Sequence, residues 1–453
     1  MQTKIISPTN NLQKIPNGMP GSKLLKTLRA ILQPIPYLES MRRRYGSIYQ
    51  DTFYGFPPTV IVSEPQAIQE IFTADSQLFQ SAASNKILEP LVGGNSLLLL
   101  DGKPHQQRRK LLMPQFHGER VKAYSQVISE TTRKVMDRIP INQPFVARPT
   151  MQSISLEVIL QAVFGLKEGK RYQEIKQILT EMLDVFNFPI NASFFFFKNL
   201  QKDWGAWGKF MRQKEQLSKL LYTEIQERRQ QDYAQGEDIL SLLLSVKDED
   251  GNSLSDVELK DELITMLFAG HETTAIALSW ALYWIHYQPE VKEKLLAEIN
   301  SLNLATLDPN EIVKLPYLNA VCSETLRICP VAFFTFSRIL QQPMKLMNYQ
   351  VPKGTGLAVS IYLVHHRPDI YLEPQQFRPE RFLERQFSPY EYLPFGGGHR
   401  RCLGMVLALF EMKLVLTTIL AHYSLNLLEN KRLSPTRRGL VFAPPGGVKL
   451  SLN

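Results

Sequence analysis

The sequence is poor in cysteine, in apolar runs near its start and in basic stretches, and each shortage excludes something. Its 453 residues hold three cysteines, Cys322, Cys329 and Cys402. Three are too few for a disulfide scaffold and fit a reducing compartment. Residues 1–25 open Met1-Gln2-Thr3-Lys4 and pass Pro8, Asn10, Asn11 and Pro16 without an apolar stretch long enough for a signal peptide or membrane anchor. They read as an extended segment, and the chain as cytoplasmic. No basic run is interleaved with aromatics, which argues against nucleic acid as a partner. The net charge of +9 then describes either a solvated basic surface or a docking face for an acidic protein. No internal repeat or linker divides the chain. Apolar residues make up 44% and charged residues 21%, ordinary for a globular protein, and 453 residues alone would predict two or three domains.

What is present centres on Phe395-Gly396-Gly397-Gly398-His399-Arg400-Arg401-Cys402-Leu403-Gly404. Consecutive glycines permit turns with positive φ and close approach to a flat ligand. An apolar helical stretch beginning at Leu403 follows, so Cys402 is expected at a helix N-terminus, where a thiol tends toward the thiolate, a metal ligand. Arg400 offers a cationic donor to an anionic group. Upstream, Ser47 to Val62 reads as a strand hairpin and Ser84 to Leu100 as a loop. His105 and Arg109 lie four apart in a helix after Pro104, so both project from one face. Ser255-Asp256-Val257-Glu258 is a capping box opening a helix of about 30 residues that stops before Pro289. Leu263 to Ile285 is the stretch that most resembles a membrane span, but His271 and Glu272 at its middle point to a buried core helix instead. Phe194 to Phe197, near Trp204, reads either as core or as an exposed apolar lid that touches lipid.

The cysteine loop resembles the haem-binding loop of cytochrome P450, F-x-x-G-x-R-x-C-x-G, with Phe395, Gly398, Arg400, Cys402 and Gly404 in the five fixed places. Ala269-Gly270-His271-Glu272-Thr273-Thr274 is similar to the family's A-G-x-D/E-T-T/S, Glu324-Thr325-Leu326-Arg327 to its E-x-x-R, and Pro379-Glu380-Arg381-Phe382 to its P-E-R-F. The resemblance covers essentially the whole chain and implies one unit spanning 1–453 in place of two or three domains. It implies a mainly α fold with a small β-rich lobe, haem b lying between the long central helix and the cysteine loop. In that reading Cys402 ligates iron, and His105, Arg109, Arg338 and Arg400 serve the haem propionates. Ala269 and Gly270 leave room for dioxygen, and Glu272 with Thr273 delivers protons. Glu324, Arg327 and Arg381 form a structural triad, while Val331, Ala332, Phe333 and Phe334 enter the substrate pocket. The spacing from Arg327 to Arg338 is one residue longer than in relatives.

The resemblance implies a monooxygenase. No flavin or nicotinamide domain is present, so two electrons come from a separate ferredoxin and ferredoxin reductase. The apolar pocket residues suggest a long, greasy substrate, and the stretch from Arg381 to Tyr390 resembles cyanobacterial members of the family, which include fatty-acid and terpenoid hydroxylases. A long-chain fatty acid is expected first and a terpenoid or retinoid second. A haem protein that senses gas or sequesters lipid is the competing class, and it would need no proton delivery.

Overall fold

The computed structural model describes residues 18, 20–166, 168–185, 194, 198–230, 238–247, 249, 251–302 and 309–453. The helices that position the site are α1 (Gly102–Leu112), α2 (Ala147–Phe164), α3 (Asp256–Tyr287), α4 (Pro316–Ile328) and α5 (Met405–His422). The strands used below are β1 (Ile48–Asp51), β2 (Thr59–Val62), β3 (Phe79–Gln80), β4 (Arg338–Leu340), β5 (Gly356–Val359), β6 (Thr436–Arg438) and β7 (Val441–Ala443).

Helix α3 is the axis of the molecule. Ser255 and Glu258 close the capping box reciprocally, and Gln288 followed by Pro289 ends the helix after 32 residues, about 48 Å of rise. It is apolar around most of its circumference because it has neighbours on most sides: α2, α4 and α5 pack against it within one continuous core. Among the described residues, the helix long and apolar enough to cross a membrane is α5, which corrects the choice of Leu263–Ile285. Most of α5 is buried within the fold, and this accounts for its composition.

The β-rich lobe is a five-stranded sheet in the order β1-β2-β5-β4-β3. The hairpin expected from Ser47 to Val62 is there, with Ile48 opposite Val62 in an antiparallel pair. Strand β2 runs parallel to β5, and β4 sets Arg338 opposite Leu357. Two expectations are revised. A helix already runs over Lys23–Leu32, so the extended N-terminal segment does not reach residue 25. The stretch from Ser84 to Leu100 is not plain loop but carries short helical turns at Glu89–Val92 and Leu97–Leu99. Phe195, Phe196 and Phe197 lie outside the described residues; Phe194 meets Trp207 edge-on at 5.8 Å.

Candidate active site

The cysteine loop closes on itself. The Cys402 amide donates to the Phe395 carbonyl at 2.9 Å, and the Arg401 amide to that of Gly398 at 3.1 Å. Gly398 has φ +63°, and a Cβ there would lie 2.8 Å from the Phe72 carbonyl oxygen, so only glycine fits. Helix α5 begins at Met405 with Gly404 as its N-cap, two residues later than the expected start at Leu403. Cys402 keeps an accessible surface, yet burial pushes its thiol up, against the Gly404 amide and the charges of Arg109 and Arg401. Cys402 thus has an open face but is enclosed by protein on its other sides. This corrects the expectation of a thiol lowered by the helix alone: the cysteine sits before the first turn, and desolvation outweighs the dipole. A bound metal cation would reverse the balance.

Around Cys402 lies a cluster of basic groups from distant parts of the chain. His105 and Arg109 come from α1, Arg338 from β4, and His399 and Arg400 from the loop. Arg338 is 1% exposed; its Nη2 donates to the Gly397 carbonyl at 2.8 Å, while Nε and Nη1 have no hydrogen-bond partner among the described residues. Arg400 donates to the Leu97 carbonyl at 3.2 Å and pairs with Asp101 at 2.6 Å, leaving Nε unpartnered. Every member is pushed toward losing its proton. Desolvation first, then Arg400, His399 and Arg109, bring His105 down to about 3. Desolvation and Arg400 bring Arg338 to about 10, and desolvation with Arg338 and Arg400 brings His399 to about 4. Buried cations with orphaned N–H groups fit a dianionic ligand, so the residues present suit the propionates of a haem.

On α3, Ala269 is exposed and Gly270 and Thr273 are half-buried, although the residues to either side are buried. The helix thus opens a narrow window at mid-length. Thr273 donates to the Ala269 carbonyl at 2.7 Å, the back-bond expected of a mid-helix threonine. Glu272 faces another way. Its carboxylate accepts from Gln152 and from Arg438 at 3.1 Å, with Arg148 at 3.7 Å. Acid and alcohol are adjacent in sequence but are held by different partners. Gln152, Arg148, Arg438, Asp101 and His399 were not singled out from the sequence. The Arg438–Glu272 contact spans 166 residues, so no local pattern announces it.

Glu324, Arg327 and Arg381 meet, the two arginines reaching Glu324 at 2.6 and 3.1 Å, all three buried. In the segment after α4, Val331, Ala332 and Phe334 are half-buried, whereas Phe333 is fully buried in a stack on Phe442 and Tyr362. Phe333 therefore belongs to the core behind the segment rather than to an open lining.

The family model for cytochrome P450 matches residues 23–451. Cytochrome P450 135B1 of Mycobacterium tuberculosis is 33% identical over 435 residues, covering 95% of this chain and 90% of that protein. Cytochrome P450 138 of the same species is 29% identical over 448 residues, 98% of this chain and 97% of that one. Among solved structures, a retinoic-acid-bound cyanobacterial CYP120A1 aligns with TM-score 0.85 and 26% identity over 98% of this chain and 100% of its own. The haem domain of cytochrome P450DA aligns with TM-score 0.84 at 21% identity over 98% of each chain, a likeness of fold. Fold and sequence together define a haem oxidoreductase. The chain belongs to the cytochrome P450 family, whose cofactor is haem b and whose members are monooxygenases.

Proposed function

We propose that this enzyme hydroxylates a long-chain fatty acid in the cytoplasm, drawing two electrons from a separate ferredoxin and ferredoxin reductase. The observation that supports the site assignment is the basic cluster beside Cys402, in which Arg338 Nε and Nη1 are buried with no hydrogen-bond partner among the described residues. In this reading Cys402 would ligate the haem iron through its sulfur, and His105, Arg109, Arg338 and Arg400 would take the propionates. Phe395, Gly398 and Gly404 shape the loop. When bound, the haem supplies oxygen activation, which a thiolate ligand favours. The chain does the rest. Ala269 and Gly270 leave space at the window in α3, Thr273 presents a hydroxyl there, and Glu272 relays a solvent proton toward it. Val331, Ala332 and Phe334 hold the apolar chain of the substrate, with Phe333 packed behind them. Trp204, 76% exposed, marks a surface for peripheral contact with lipid, while Phe194 packs against Trp207.

A second reading is favoured by one observation: a structure with TM-score 0.85 to this chain is described with retinoic acid bound. Both substrates are apolar chains ending in a carboxylate. A spin-state titration of the ferric protein separates them. A shift that tightens with the length of saturated fatty acids supports the first, and a response to retinoids alone supports the second. Silence toward both overturns the pair. Cys402→Ser should abolish the thiolate-type spectrum of the reduced carbon monoxide complex, and an unchanged spectrum would remove Cys402 as ligand.

A further inference from the structure

The Glu272 carboxylate is held from two separate pieces of chain. From α2, Gln152 donates to Oε2, and Arg148 stands 3.7 Å from Oε1 while also donating to Gln152 at 2.9 Å. This unit is anchored, because α2 packs along α3 in the main core. From the other side, Arg438 Nε donates to Oε1 at 3.1 Å. Arg438 ends β6, which pairs with β7 alone, and the two strands form a two-stranded ribbon of three residues each. Such a ribbon has little stability of its own and depends on what it packs against.

What fastens it is the substrate-pocket segment as well as α3. The Phe442 ring of β7 stacks on Phe333 with centroids 3.5 Å apart, and the Phe442 amide donates to the Val331 carbonyl at 2.9 Å. One ribbon therefore touches both the segment assigned to substrate and the acid assigned to proton supply. Neighbouring residues on a helix point about 100° apart, so a carboxylate held by Arg438 and Arg148 is not presented to Thr273.

We propose that Arg438 is a positioning residue that couples substrate occupancy to proton supply. With the ribbon seated on Val331–Phe333, Arg438 keeps the Glu272 carboxylate turned from Thr273. A substrate bearing on that segment shifts the ribbon and weakens the Arg438 contact, leaving Arg148 and Gln152. The freed carboxylate takes a proton from solvent water and passes it to the Thr273 hydroxyl, whose own proton goes on to the oxygen being reduced at the window in α3, so the protein ends with the charge it began with. The inference rests on the reading of Glu272 and Thr273 as the proton route.

The test uses haem-loaded protein with ferredoxin, its reductase and NADPH, and palmitate as probe, or retinoic acid where palmitate gives no spin shift. Arg438→Gln should raise substrate-free reductant consumption roughly fivefold to tenfold, a population-shift effect, with the spin-shift affinity unchanged. Arg438→Lys should restore the low rate, and Phe442→Ala should mimic Arg438→Gln while changing no charge. Carbodiimide labelling of Glu272, read by peptide mass spectrometry, should rise in Arg438→Gln and in wild type on adding probe. A weakened spin shift with unchanged substrate-free consumption would make Arg438 a substrate contact and overturn the proposal. Labelling that ignores both the substitution and the probe would overturn it too. Thr273→Ala tests the underlying reading separately: unchanged coupled oxidation there removes the proton route itself.

Discussion

Arg400 Nη2 lies 2.6 Å from Asp101 Oδ1, joining two residues 299 positions apart. The same carboxylate accepts the amides of Ser81 and Ala82 at 2.9 and 2.8 Å, and Asp101 immediately precedes α1. One acidic side chain thus registers the helix carrying His105 and Arg109 against the loop carrying Cys402. Asp101→Ala should cost about 1–3 kcal/mol, since it strands two backbone donors and takes the counter-charge from Arg400, whose Nη2 keeps only the Leu100 carbonyl. Urea unfolding measures this, and an unchanged midpoint would show that the loop is registered by other contacts.

Arg338 makes the opposite case. Two of its nitrogens have no hydrogen-bond partner among the described residues, so the side chain carries a desolvation cost that an anion would offset. Arg338→Met should leave the apoprotein equally stable or more so, by about 1–3 kcal/mol, and speed loss of haem from the loaded protein. Haem transfer to an acceptor protein and thermal unfolding of the apoprotein read the two effects separately. Slower haem transfer, or an apoprotein that loses stability, would contradict a role in holding the propionates.

Two buried carboxyls set a pH dependence. Desolvation pushes Glu411 on α5 up from 4.5 to about 8, the nearby Ser155 hydroxyl opposing it weakly. Desolvation likewise lifts Glu262 to about 7 against the pull of Arg108. A carboxyl raised on folding binds its proton more tightly in the native state. Stability therefore falls as pH rises from about 4.5 to about 8, by roughly 1 kcal/mol per pH unit for Glu411. Glu411→Gln should flatten that slope and be the more stable form at pH 8. Urea unfolding between pH 5 and 8 decides it, and parallel slopes would mean that Glu411 is ionised in the fold.

Much of this was legible because it is local. The capping box at Ser255 and Glu258, the hairpin around Gly55-Phe56-Pro57 and the glycines before Cys402 each declare themselves within a few residues. So did the residue types of the basic cluster, since His105 and Arg109 share a helix face. The partners were not legible. Asp101 and Arg438 reach their targets across hundreds of residues, and nothing in their neighbourhoods differs from ordinary loop and strand. The state of Cys402 was misjudged for a related reason: local sequence suggests a helix dipole, whereas the enclosure that outweighs it is built by distant segments. Helix α5 and Leu263–Ile285 were confused as span-like stretches because burial in a core and burial in lipid select the same residues.

The triad makes an ordered prediction. Glu324 accepts from Arg327 at 2.6 and 2.8 Å, from Arg381 at 3.1 Å and from the Arg378 amide at 2.8 Å. Removing it as Glu324→Ala leaves two buried guanidiniums without their counter-charge, a loss of about 3–5 kcal/mol. Arg381→Met leaves Glu324 with its bidentate partner Arg327, a neutral pair, and frees the Leu372 carbonyl, while the Gln376 carbonyl keeps its bond from Arg327. Its cost should be less than half as large. Arg327→Met should fall between them or above, because Arg327 also donates to the His365, Pro374 and Gln376 carbonyls. Chemical unfolding of the three apoproteins gives the order directly. An Arg381→Met loss equal to that of Glu324→Ala would mean that Arg381 carries weight in the fold beyond its bond to Glu324.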